Sequence, residues 1–172
     1  MMSNSPTQRV PLIKLHLMPN IANLDSNAST LLLLTHTPDH AQTLAGLEFA
    51  TQFCQKQSCQ KLDTNTATQE PNPVPTPTLR LFLYRDAVML ANRLIWQADD
   101  MPNAARDWQR LVQQFGLIAQ VCVSSALARG VTDGANAKRH GLDGDNLAAG
   151  FTLVGLGELA MALHEMPQVY QF

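Results

Sequence analysis

The stretch Thr30-Leu31-Leu32-Leu33-Leu34-Thr35-His36-Thr37-Pro38-Asp39-His40 decides how the rest of the chain is read. A compact apolar run ahead of a helical pattern reads as a buried strand of a parallel sheet, because such strands are covered on both faces. His36 to His40 is the turn, and Asp39 is a candidate N-cap. Ala41 to about Lys56 then follows helical spacing, with Leu44, Leu47, Ala50, Phe53 and Cys54 on one broad face. On that face Cys54 reads as a small buried core residue rather than a reactive thiol.

The strand-then-helix unit recurs downstream. Leu79 to Tyr84 is a second strand, and Asp86 can cap a helix running to about Trp96. Gln97 to Pro102 is a polar connection. Ala104 to Phe115 is a helix with Trp108, Leu111 and Val112 on one face, and Gly116 ends it. Leu117 to Val123 is a third strand. Ser124 to Ala128 starts a short helix, and Thr132 or Asp133 caps the next, which runs to about His140 before Gly141. Phe151 to Val154 is a short strand or a helix lead-in, Gly157 to Glu165 is helical, and Val169 to Phe172 is a terminal strand. Strands alternating with helices across short turns imply an α/β class: a three-layer α/β/α arrangement around a mainly parallel sheet of about five strands. Right-handed crossovers place helices on both faces, and functional residues gather at the carboxyl ends of the strands.

Two segments stand outside this alternation. Residues 1–29 are polar and rich in Asn and Ser, which suggests an N-terminal extension with a short apolar patch at Val10 to Leu17. Residues from about 58 to 78 are rich in Thr, Asn, Gln and Pro, with Pro71, Pro73, Pro75 and Pro77 in alternation. Such a composition cannot bury a core. It reads as an insertion, either a plain surface loop or a partner-contacting arm, within one domain spanning 30–172.

Composition narrows the function. The chain has 172 residues, 45% of them apolar, and a formal net charge of -2. That allows one real core and gives no basic field for nucleic acid, so no direct nucleic-acid binding is expected. The longest apolar runs are too short to span a bilayer, and Met1 to Pro19 has no continuous apolar h-region. Three cysteines make no disulfide framework and fit a reducing cytoplasm. Cys54 and Cys59 lack the second pair that a zinc site needs, so no metal is expected.

Cys122 is the candidate functional residue. In Val121-Cys122-Val123-Ser124-Ser125-Ala126 it closes the third strand just before a helix. Unpaired helix N–H groups and the positive dipole end favour thiolate there, below the usual pKa of about 8.5. A drop of about two units raises the thiolate fraction near pH 7.5 roughly ninefold, but intrinsic nucleophilicity falls by a similar factor. The gain lies in holding and releasing an anionic sulfur. The residues alone leave the alternative open, that Cys122 is only a small buried hydrophobe.

Several collinear segments add a resemblance. Val121-Cys-Val-Ser-Ser-Ala-Leu-Ala-Arg-Gly-Val131 resembles the active-cysteine segment of the DsrE/TusD family of sulfur-relay proteins. Phe82-Leu-Tyr-Arg-Asp-Ala-Val88 with Asn92, Trp108-Gln-Arg-Leu111, Asn146 to Leu159 and Val169 to Phe172 resemble further family segments in the same order. The likeness is strong over 79–172 and weak over 30–57. It implies a DsrE-like fold and a TusD-like sulfurtransferase subunit in which Cys122 carries a persulfide. It also implies sulfur donor and acceptor proteins, with TusB-like and TusC-like subunits in a heterohexamer, or else a homo-oligomer. The route would end in 2-thiolation of tRNA wobble uridine, without metal or organic cofactor, in the cytoplasm. The alternatives are a DsrE-type carrier in sulfur oxidation and a non-catalytic assembly subunit. The turn at His36 to His40 replaces a Gly-containing family turn, and Ala87 stands where Gly is common.

Three lesser candidates complete the reading. His36 and His40 either join a site near Cys122 or form a solvated turn. Arg129 either supplies positive charge near the thiolate or a partner, or is a solvated surface residue. Gly155-Leu156-Gly157 lacks the third glycine and the acidic residue of a dinucleotide fingerprint, and its glycines are expected to allow close helix packing.

Overall fold

The computed structural model describes residues 28–63 and 78–172, without the side chains of 59–63. Nearly all of the polar N-terminal stretch and most of the Pro/Thr segment lie outside the described residues. Five strands form one sheet: β1 (Thr30–Leu34), β2 (Leu79–Leu83), β3 (Ile118–Cys122), β4 (Phe151–Val154) and β5 (Gln168–Gln171). Their order is β4-β3-β2-β1-β5, and every pairing is parallel. The sheet is therefore wholly parallel among the described residues.

That order fixes where the helices go. The chain steps in one direction from β1 to β2, β3 and β4, then returns across the whole sheet to β5. With right-handed crossovers, the first three connections cover one face and the last covers the other. The buried clusters follow this division. On the first face, Leu32, Leu34, Leu81, Leu83, Ala119 and Val121 pack with Phe49 and Phe53 of α1 (Ala41–Asp63) and Trp108 and Val112 of α2 (Ala104–Phe115). On the second face, Leu31, Phe82 and Cys122 pack with Ala162 of α5 (Leu156–Glu165). Among the described residues, the ten-residue α5 is the helix that covers that second face.

Local chemistry sets the boundaries. The α2 span agrees with its spacing pattern, with the Asn103 carboxamide accepting from the Arg106 N–H and Gly116 closing it at φ 59. Of the two caps considered for α4 (Gly134–His140), Asp133 is the one used: it accepts from the Asn136 N–H at 2.8 Å. Phe151–Val154 is a strand, pairing with β3. No helix among the described residues is long and apolar enough to cross a membrane.

Four expectations need correction. First, α1 runs on to Asp63, well past Lys56. Its buried stripe holds Thr43, Gly46, Phe49, Ala50, Phe53 and Cys54, while Leu44 is exposed. Gly46 matters to this stripe, since a Cβ there would meet Leu34 Cδ2 and Phe172 Cγ at 3.2 Å. Second, Asp39 is not the cap of α1: His40 precedes the helix, and its Nδ1 accepts from the Gln42 N–H at 3.2 Å. Asp39 is held below the usual carboxylate range chiefly by a hydrogen bond with the Thr37 side chain. Third, the segment after β2 is a 3-10 helix, Arg85–Ala91, with no side-chain cap from Asp86. It stops because Asn92 turns extended and bridges to Leu147. Fourth, Gly155 and Gly157 do not serve close packing. A Cβ at Gly157 would meet nothing within 4 Å, and one at Gly155 only the Gly157 amide nitrogen at 4.0 Å.

Candidate functional site

Cys122 is the last residue of β3 and the N-cap of α3 (Val123–Leu127), as its sequence position implies. Its pairing partner on β4 is Val154, and on its other side β2 continues into Tyr84. From β3 the chain enters α3, towards the first face of the sheet. From β4 it enters α5, on the second face. Neighbouring strands whose connections part to opposite faces leave a crevice at their carboxyl ends, the usual binding position in open α/β sheets. Cys122 stands at that point.

The thiol is shielded, with a residue exposure of 1%. Around it lie Leu31, Phe82 and Ala162, with Tyr84, Val154, Leu159, Leu163 and Met166 packed against the group. The side chain makes no capping hydrogen bond to α3. An anion at Cys122 would have an apolar wall on the α5 side, with the first turn of α3 following it in the chain.

A polar brace joins the turns that follow β2 and β3. Arg129, just past α3, donates from Nε to Asp86 Oδ1 at 2.8 Å, and its Nη2 lies at the same distance from that oxygen as an ion pair. Its Nη1 also donates to the Ser125 carbonyl at 3.3 Å. The Ser125 hydroxyl accepts from the Arg85 N–H at 3.3 Å. Arg129 is thus engaged by Asp86, which ties α3 to the 3-10 helix, and it is not left to face a thiolate.

The structure does not bring the other candidates to Cys122. His36 and His40 stack on each other, ring centroids 4.1 Å apart, beyond the carboxyl end of β1. They lie two strands from β3 in the sheet order. Cys54 is buried beneath α1, and burial pushes its thiol up to about 11. Such a thiol is a poor nucleophile at neutral pH, in keeping with a packing role. Among the described residues no group of three His, Cys, Asp or Glu side chains stands together as a metal centre.

Two residues at the site escaped the sequence reading, Arg85 and Ser125. Both lie in segments quoted for resemblance. No residue pattern announces that Arg85 takes a left-handed backbone, φ 55, or that a serine hydroxyl on the next turn meets its N–H.

The class defined by fold and site is an α/β/α protein with one cysteine at the crevice between two parallel strands. Residues 29–172 match the DsrE/DsrF-like family, and the chain belongs to that family. It is 45% identical to a protein from Erwinia tasmaniensis named sulfurtransferase TusD, over 92 residues that make up 54% of this chain and 72% of that one. Proteins of the same name from an Enterobacter species and from Klebsiella pneumoniae are 45% and 44% identical over the same shares. Among solved structures, the ychN protein from E. coli has a similar fold, with a TM-score of 0.54 at 16% identity, covering 84% of this chain and 99% of that one.

Proposed function

We propose that this chain is a sulfurtransferase subunit in which Cys122 accepts sulfane sulfur, holds it as Cys-S-SH and yields it to a partner cysteine. The observation that carries the reading is the position of Cys122, at the crevice where β3 and β4 send their helices to opposite faces. The relatives named sulfurtransferase TusD support it. The proposal extends to a cytoplasmic relay ending in 2-thiolation of tRNA wobble uridine, with TusB-like and TusC-like partners. It also takes residues 30–172 as one domain carrying an insertion.

The chemistry suits the surroundings. A persulfide hydrolyses or scatters its sulfur if left in open water, and an apolar wall on one side limits such side reactions. Helix-start amides suit a negative sulfur. Transfer then requires the α5 cover to yield when a partner docks, and α5 has only Ala162 fully buried. The test is incubation of the purified chain with a sulfane-sulfur donor, followed by mass spectrometry of trapped persulfides. A gain of one sulfur on the peptide holding Cys122 supports the proposal, and labelling that persists in Cys122→Ala refutes the site. For the wider route, deletion of the gene should lower 2-thiouridine in tRNA.

A further inference from the structure

Arg85 is the one non-glycine residue with positive φ among the described residues. An L-residue there is strained, whereas glycine would not be. Strain of this kind persists where the surroundings over-determine it, and it clusters at functional sites. Here the surroundings are the Ser125 hydroxyl on the Arg85 N–H and the Arg129–Asp86 clamp one residue on.

The charge on this turn is unanswered. Arg85 is exposed, and its guanidinium has no ion-pair or hydrogen-bond partner among the described residues. The adjacent carboxylate, Asp86, is occupied by Arg129. The turn follows β2 at the carboxyl end of the sheet, and its backbone rests against the helix that Cys122 caps. A strained turn thus holds a free cation at the carboxyl end of β2, the strand beside the one that Cys122 ends.

We infer that Arg85 is a recognition residue for the relay, engaging a carboxylate of the sulfur-carrying partner as it delivers sulfur to Cys122. This rests on the sulfur-carrier reading above. A guanidinium offers a carboxylate two parallel N–H donors, so it fixes orientation as well as attracting charge. In the transfer, the Cys122 thiolate attacks the outer sulfur of R–S–SH. A new S–S bond forms at Cys122, the old S–S bond breaks, and R–S⁻ leaves and takes up the proton that Cys122 released. No external oxidant or reductant is needed.

The test compares two small donors on the full chain: glutathione persulfide, which carries carboxylates, and 2-hydroxyethyl persulfide, which carries none. The readout is the ratio of Cys122 loading rates from the two donors, by mass spectrometry, for wild type, Arg85→Gly and Arg85→Lys. In Arg85→Gly the ratio should fall by about three- to tenfold, the span that one partly exposed charge pair carries. Arg85→Lys should keep most of it, and high salt should erase the difference. A ratio in Arg85→Gly equal to wild type overturns the inference, even if both rates fall together. Failure of wild type to load from either donor instead refutes the sulfur-carrier reading.

Discussion

Gly150 and Gly157 lie seven residues apart in the glycine-rich C-terminal segment, and the structure assigns them opposite sensitivities. At Gly150 φ is +89, and a Cβ would meet Val112 Cγ1 at 2.9 Å. Val112 is a core residue of α2, so it has little room to retreat. Gly150→Ala therefore combines backbone strain of about 1–2 kcal/mol with overpacking of about 1–3 kcal/mol. A total near 3 kcal/mol should lower Tm by roughly 6–12 °C for a chain of this size. At Gly157 a Cβ meets open space, and the residue lies in the first turn of α5. Gly157→Ala should be neutral or raise stability by up to about 1 kcal/mol through helix propensity. Thermal unfolding by circular dichroism and urea titration followed by the buried Trp108 would measure both. Equal losses in the two variants, or a larger loss at Gly157, would refute the assigned packing.

Further outcomes follow from the same contacts. Asp86→Asn should cost no more than about 1 kcal/mol in urea titrations, because the pair with Arg129 is part-exposed and screened, and the loss should shrink with added salt. Cys54 should resist alkylation: with its thiol at about 11 rather than 9.0, the thiolate fraction at pH 8 is lower by about a hundredfold, and peptide mapping after brief iodoacetamide treatment would show it. Cys122→Ser should lower stability by about 1–3 kcal/mol in the same titrations, since it puts a hydroxyl into an apolar cluster, whereas Cys122→Ala should cost less.

Much of the fold is legible in the sequence because local signals and tertiary demands agree. Leu31–Leu34 is apolar throughout because β1 is an inner strand, with β2 on one side and β5 on the other. The helix α2 has its cap, its stripe and its terminal glycine all in register. Where tertiary contacts override local pattern, the reading departs from the structure. The Arg85–Ala91 turn is short because Asn92 pairs with a segment fifty-five residues on, which no local spacing reveals. The spacing pattern stops short of the true end of α1 because residues 57–63 carry no helical run of apolar residues in sequence, yet the backbone continues the helix to Asp63. At the site, Cys122 was legible as the last residue of an apolar run ahead of a helix. The brace of Asp86, Ser125 and Arg129 was not, because its members come from two crossover turns that only the sheet order brings together.

The central claim is that Cys122 carries sulfur, and persulfide trapping on the intact chain tests it most directly. Wild type and Cys122→Ala, with Cys54 and Cys59 left in place, would be incubated with a sulfane-sulfur donor, alkylated and mapped by mass spectrometry. The account predicts one added sulfur on the Cys122 peptide, none on the Cys54 peptide and none anywhere in Cys122→Ala. An unmodified Cys122 peptide, or equal labelling of the alanine variant, would contradict it.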